Sequence, residues 1–253
     1  MIATEENREI VVLPDLDAVS QEAARRFVTI ANDAVAQTNR CTVALAGGST
    51  PERLYRLLAS DAYRDAVPWA SLYLFFGDER CVPPDDRESN YRMAREAMLD
   101  HVPVLPEQVF RMEGERDPQS AAMTYDAMLG DAFSLTPGRV PRFDLILLGM
   151  GPDGHTASLF PQTDGLQVIE RLATANYVPK FDSWRLTLTY PVLDAAAHVL
   201  FLVGGAEKAD AVQQVLEGSF DPAEYPAQGV RTPEGRVTFL LDAAAAGKLI
   251  ATH

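Results

Sequence analysis

FDLILLGMGPDGHTASLFP, residues 143–161, opens as an unbroken apolar run and then breaks into a turn holding three glycines, an aspartate and a histidine. A short apolar run with no polar face reads as a strand buried on both sides. Two stretches upstream repeat the pattern: CTVALA (41–46) stops at Gly47 and Gly48, and SLYLFF (71–76) stops at Gly77. Helical spacings flank them. Leu16, Val19, Ala23, Phe27, Ile30, Ala31 and Ala34 define an amphipathic helix across 15–38, and Leu54, Leu57 and Leu58 a second across 51–60. Pro51 suits the first turn of that second helix. Downstream, RLTLTY (185–190), HVLFLVGG (198–205) and VTFLLD (237–242) read as strands, with helices near 206–217 and in the alanine-rich stretch that follows 242. Strands alternating with helices specify an α/β fold, a mostly parallel Rossmann-like sheet with helices on both faces. Ligands of such sheets bind outside the carboxyl ends of the strands. The turns at 47–50, 77–80 and 149–155 all fall there, so one pocket is expected to collect them. Residues 102–118, with Pro103, Pro106 and Pro118, are the loosest internal stretch, yet the pattern resumes on both sides. Residues 1–253 are therefore expected to form a single domain.

Composition narrows the partners. The chain has 253 residues, 22 Lys plus Arg against 36 Asp plus Glu, and a formal net charge of −14. Phosphate-backbone binding rests on clustered cations, so no nucleic acid partner is expected. A small anionic substrate needs only one local basic pocket and stays open. No apolar run is long enough to span a membrane, and the first residues, MIATEENREI, show no secretory pattern. Cys41 and Cys81 have neither metal-type nor redox-type spacing and read as free thiols of a reducing compartment, so a cytoplasmic location is expected. A monomer or small homo-oligomer is the expected assembly.

Three turns and one strand carry chemistry. In AGGST (46–50), glycines let a ligand approach the backbone, helix-start amides suit an anion, and Ser49 and Thr50 add hydroxyl donors. The alternative is a plain strand-to-helix turn with Ser49 or Thr50 as its cap. No lysine follows the glycines, so this is not a nucleotide P-loop. GDER (77–80) sets Asp78, Glu79 and Arg80 after a strand: the arginine can bind phosphate or steady an oxyanion, and the acids can orient it or handle a proton. A solvated loop with a surface ion pair is the other reading. Ser89, in SNY (89–91), looks like a helix cap. In the 149–155 turn, His155 can take and return a proton near neutral pH, and Asp153, two residues earlier, can fix its tautomer. His101, His198 and His253 lack such surroundings. No His, Cys or carboxylate grouping has metal-ligand spacing, so no metal is expected. Lys180 and Arg185, at the approach to RLTLTY, offer two cations in an acidic chain, either as a basic pocket or as edge-strand charges.

LAGGSTP (45–51), GDERCVP (77–83) with SNY (89–91), FDLILLGMGPDGHTASLFP (143–161), RLTLTYPVL (185–193) and VLFLVGGAEKA (199–209) together resemble the 6-phosphogluconolactonase family, in its order. The resemblance implies a fold similar to sugar-phosphate isomerases such as glucosamine-6-phosphate deaminase. It also implies hydrolysis of 6-phospho-D-glucono-1,5-lactone to 6-phosphogluconate in the oxidative pentose phosphate pathway, with no metal or organic cofactor. Carried onto this chain, His155 is the catalytic histidine, with Asp153 beside it and Arg80 and Asp78 in the second active-site turn. Gly47, Gly48, Ser49 and Thr50 form the first turn, and Lys180 with Arg185 are the phosphate-side cations. The chain departs from the family pattern at Phe181 and Asp182, where prolines are common, and at Phe239–Leu240 near the end.

Two other functions compete. An amino-sugar-phosphate isomerase or deaminase shares the glycine turn and the DGH, but that family has a tyrosine after its Asp-Glu pair and IAFNEP after DGH; this chain has Arg80 and TASLFP. A non-enzymatic sugar-phosphate sensor is expected to carry an added interaction domain, for which 253 residues leave no room.

Overall fold

The structure, a computed structural model, describes residues 7–250. Seven strands, numbered in chain order, form one parallel sheet. From edge to edge they are β1 (Arg8–Leu13), β10 (Arg236–Asp242), β9 (His198–Val203), β6 (Leu145–Leu148), β2 (Cys41–Leu45), β3 (Leu72–Phe76) and β5 (Val109–Phe110). After β1 the chain enters at β2 and steps outward through β3 to β5. It then returns to β6 beside β2 and steps the other way through β9 to β10. The reversal between β2 and β6 is the switch point where open α/β sheets hold their ligands. β2 and β6 are buried along their whole length, in keeping with their unbroken apolar runs.

A second sheet of three antiparallel strands, β4 (Asp78–Arg80), β8 (Ser183–Leu188) and β7 (Ala173–Val178), stands beside the first. RLTLTY is thus a strand, as its composition indicates, but not of the parallel sheet. Its alternation of Arg185, Thr187 and Thr189 with Leu186 and Leu188 is the period of a sheet with two unlike faces. GDER, read as a turn, contributes β4: Gly77 accepts a hydrogen bond from Leu188, and Asp78 to Arg80 pair with Thr187 to Arg185.

The helices follow local rules. α1 (Leu16–Thr38) starts where the Asp15 carboxylate accepts the Ala18 N–H, and ends at Asn39 in the left-handed conformation, φ 60°. α2 (Ser49–Leu58) begins two residues earlier than its apolar spacing indicates, so Ser49 and Thr50 sit in its first turn and Gly48 is the cap. Ser89 caps α3 (Asn90–Ala97), as SNY predicts, and Asp117 caps α4 (Pro118–Ala132). α5 (Tyr190–Ala195) and α6 (Ala209–Glu217) complete the set. The alanine-rich stretch after β10 makes turns, not the expected helix. Its bonds shift from Ala246 N–H on Asp242 to Gly247 N–H on Ala244, and glycine at 247 favours no continuation.

Two tyrosines tie helices to strand ends beneath the site. The Tyr55 hydroxyl of α2 donates to the Ala46 carbonyl and accepts the Ala46 N–H, each at 2.8 Å. The Tyr125 hydroxyl of α4 does the same for Phe76, each at 2.9 Å. Both side chains are buried. Each satisfies a backbone donor and acceptor that the end of a parallel ladder leaves over.

Candidate active site

A cleft of about 540 Å³ opens at the carboxyl ends of β2, β3 and β6, and the small sheet forms its far wall. The three turns singled out in the sequence all line it, through Gly47 to Thr50, Asp78 and Arg80, and Gly149 to Pro152 with His155.

The first turn presents an open helix start. Gly48, at φ 98°, is the cap of α2 and no side chain caps that end, so its first N–H groups face the cleft without a protein acceptor on a side chain. A helix start of this kind carries partial positive charge and suits an anion. Lys208, just before α6, lines the same cleft, and its ammonium makes no hydrogen bond or ion pair to a described residue. Burial pushes its ammonium below the ordinary lysine range, while Glu207 and Asp242 pull the other way. Nothing in the AEKA context singled out this lysine in the sequence.

The second turn divides its acids between two jobs. Asp78 is buried and accepts Ser158 Oγ at 2.7 Å and Asn90 Nδ2 at 3.2 Å, which ties the second turn to the third and to α3. Glu79 is buried and is not part of the cleft wall. It accepts the N–H groups of Arg80, Asn90 and Tyr91 at 2.7–2.8 Å and Ser89 Oγ at 3.1 Å, so it anchors the start of α3 and neither orients the Arg80 guanidinium nor faces a substrate. Burial pushes its carboxyl up, against those hydrogen bonds. Arg80 and Arg185 stand directly opposite each other on the β4–β8 ladder and both line the cleft. Arg80 donates to the Glu88 carbonyl, and Arg185 to Ser183 Oγ and the Trp184 carbonyl. Among the described residues neither meets a carboxylate. Burial, then the neighbouring Arg80 charge, pushes the Arg185 guanidinium down. Two half-buried guanidiniums side by side, neither bonded to a carboxylate among the described residues, suit an anion.

The third turn brings Asp153 against His155. Asp153 Oδ1 meets His155 Nδ1 at 2.5 Å, which leaves Nε2 as the ring nitrogen with no partner among the described residues. Gly151 makes the pair possible: a Cβ there would lie 2.1 Å from the imidazole Nδ1. Phe160 lies against the other side of the ring, centroids 4.0 Å apart and planes 21° off parallel. Asp153 Oδ2 accepts Lys180 Nζ at 2.8 Å. Burial disfavours the ionised Asp153, but the bonds from His155 and Lys180 outweigh it and hold the carboxyl well below its ordinary range. Lys180, expected beside Arg185 on the phosphate, thus reaches the other way, to Asp153, and does not line the cleft. Phe181, its neighbour at the hairpin tip, does.

His101 and His198 lie elsewhere, on the Glu96 carbonyl and at the start of β9; His253 is outside the described residues. Among the described residues no three His, Cys, Asp or Glu side chains are grouped to hold a metal ion, and no helix is long and apolar enough to cross a membrane.

An imidazole, paired guanidiniums and an open helix start share one cleft at the switch point of a parallel sheet, an arrangement suited to acid–base chemistry on a small anionic substrate. Sequence comparison gives the family. The model for "Glucosamine-6-phosphate isomerases/6-phosphogluconolactonase" matches residues 14–239, and the chain belongs to that family. It is similar to a 6-phosphogluconolactonase of a Nostoc species, 41% identical over 243 residues, covering 96% of this chain and 98% of the relative. One from Streptomyces coelicolor is 38% identical, with 95% and 94% covered. The solved structure of the Trypanosoma brucei 6-phosphogluconolactonase superposes with a TM-score of 0.82 at 31% identity, covering 96% of this chain and 99% of that one.

Proposed function

We propose that this chain, a 6-phosphogluconolactonase, opens 6-phospho-D-glucono-1,5-lactone with a water activated by His155. The observation that carries the reading is the Asp153–His155 contact, which leaves Nε2 open beside Arg80 and Arg185. A δ-lactone is an activated ester, so water suffices as nucleophile and no serine or cysteine is needed. Nε2 takes a proton from the water as its oxygen attacks the carbonyl carbon. Asp153 fixes the tautomer and balances the imidazolium that forms. Negative charge then develops on the carbonyl oxygen, where Arg80 and Arg185 stand as donors; losing one such donor costs about 2.7–4 kcal/mol in hydrolases generally. The tetrahedral species collapses by breaking the bond to the ring oxygen, which takes the proton from the imidazolium and leaves as a hydroxyl. The product is 6-phospho-D-gluconate.

The phosphate, at the far end of the substrate, fits the open start of α2 with Ser49, Thr50 and Lys208 and supplies orientation. Arg185, expected on the phosphate, goes to the carbonyl end in this reading because the ladder fixes it opposite Arg80. Asp78 serves by holding the second and third turns together. On this reading the chain works in the oxidative pentose phosphate pathway.

Lactone generated in place from glucose 6-phosphate with an oxidising dehydrogenase, corrected for spontaneous opening, tests the proposal. The protein is expected to accelerate opening, and His155→Ala to lose about 10²–10⁴-fold. Retention of turnover within a few-fold removes His155 from the base role. No acceleration by folded protein, with ammonia released from glucosamine 6-phosphate instead, overturns the reading itself.

A further inference from the structure

Lys180 sits at the tip of the β7–β8 hairpin, in a short turn from Pro179 to Phe181 that closes through Asp182 in the left-handed conformation, φ 48°. Proline presets the entry to that turn, and the Tyr177 hydroxyl bonds the Asp182 carboxylate across the hairpin. The lysine's direction is therefore built into the tip. Its Nζ meets the outer oxygen of Asp153, whose inner oxygen holds His155, so the three side chains form a line from lysine to carboxylate to imidazole. The cleft meanwhile contains Arg80, Arg185 and Lys208, none with a carboxylate partner, and so has cations enough for its substrate without Lys180.

We infer that Lys180 is a positioning residue for the base: it holds Asp153 in line with His155 and offsets the carboxylate's charge. The inference rests on His155 being the base. A carboxylate bound to Nδ1 favours the imidazolium, and unopposed it leaves the ring protonated when a base is needed. A cation on the far oxygen reverses part of that bias. The charged groups that face His155 are Asp153 on its own turn, Lys180 from the hairpin tip, and Asp78, Arg80, Glu88, Arg185 and Lys208 along the cleft. Of these, Lys180 alone is bonded to the carboxylate that touches the ring. The tip braces the imidazole a second time: Phe181 packs edge-on against Phe160, 5.6 Å between centroids, and Phe160 lies flat on His155.

The test is the pH dependence of kcat/KM for Lys180→Met and Lys180→Arg in the full chain, on the phosphorylated lactone and on unphosphorylated glucono-1,5-lactone. Lys180→Met is expected to move the acid limb up by about half a pH unit. It should lower kcat below neutral pH by about threefold on both substrates, with KM within about twofold of the parent. Lys180→Arg should restore the limb. A rise in KM confined to the phosphorylated substrate, with the limb in place, overturns the inference and makes Lys180 a phosphate cation. An unchanged profile also overturns it, leaving only a surface ion pair. Inclusion of His155→Asn separates the failures: an active variant sinks the base assignment itself, whereas an inactive one beside a normal Lys180→Met sinks only the role of Lys180.

Discussion

At Lys208, burial raises the cost of the charge, the nearby Glu207 and Asp242 offset only part of it, and no described side chain bonds the ammonium, which suits an incoming anion as its counterpart. Lys208→Met is therefore expected to raise KM for the phosphorylated lactone by about 10–100-fold, the range of one lost charge-assisted bond, and to leave the unphosphorylated lactone nearly unaffected. Parallel kinetics on the two lactones check this. Single residues were unevenly legible in the sequence. His155, Asp153 and Arg80 were legible because they sit in glycine-bearing turns directly after apolar strands, where open α/β sheets bind ligands. Lys208 gives no such signal, since a lysine near a helix start looks like any solvated residue until the fold closes over it. Lys180 was legible as a cation but not in its target: the hairpin geometry that turns it toward Asp153 depends on Pro179 and Asp182 acting together.

Polar clamps hold elements together alongside the apolar core. The tyrosines of α2 and α4 each serve both backbone groups of one buried residue, so Tyr55→Phe or Tyr125→Phe strands a donor and an acceptor at a strand end. Each variant is expected to lose about 1–3 kcal/mol in chemical denaturation. α5 offers a pH-dependent counterpart. Asp194 accepts the Arg231 N–H at 2.7 Å, and burial pushes its carboxyl up to about 7, against that bond and the Arg231 charge. In the unfolded chain it ionises near 3.8. The folded protein therefore holds the extra proton between those values, and stability falls as pH rises through that window and then levels. Asp194→Asn should flatten this fall by on the order of 1–3 kcal/mol, read from denaturation midpoints at pH 4 and pH 8. The strands that the sequence showed plainly, β2, β3, β6, β9 and β10, are those with long apolar runs. β1, β7 and α4 escaped because their burial is partial or alternating, and β5 has only two residues. The sheet that RLTLT joins was hidden for a related reason: alternation reveals a strand but not its neighbour.

On the scale of the molecule, the two sheets share their site. Ser158 bonds Asp78, Asn176 of β7 bonds the Ser158 carbonyl and Thr163, and Gly77 joins β3 to β4 without a linker. We propose that the chain is one cooperative domain on this account. Urea unfolding followed by far-ultraviolet dichroism and by tryptophan fluorescence, with Trp69 near the large sheet and Trp184 in the small one, should give a single coincident transition. Two separated transitions would show that the small sheet folds alone. The antiparallel ladder has a wider consequence. Arg80 and Arg185 are spaced by the rungs of β4 and β8, whereas Lys180 and Phe181 ride on the turn beyond the last rungs. On the proposed roles, substrate grip and base positioning are therefore mounted on separable parts. A graft that exchanges residues 179–182 for a longer or differently charged tip alters the mouth of the cleft and the pH response while the arginine pair stays in place, so the hairpin tip is where new substrate range can be engineered without rebuilding the scaffold.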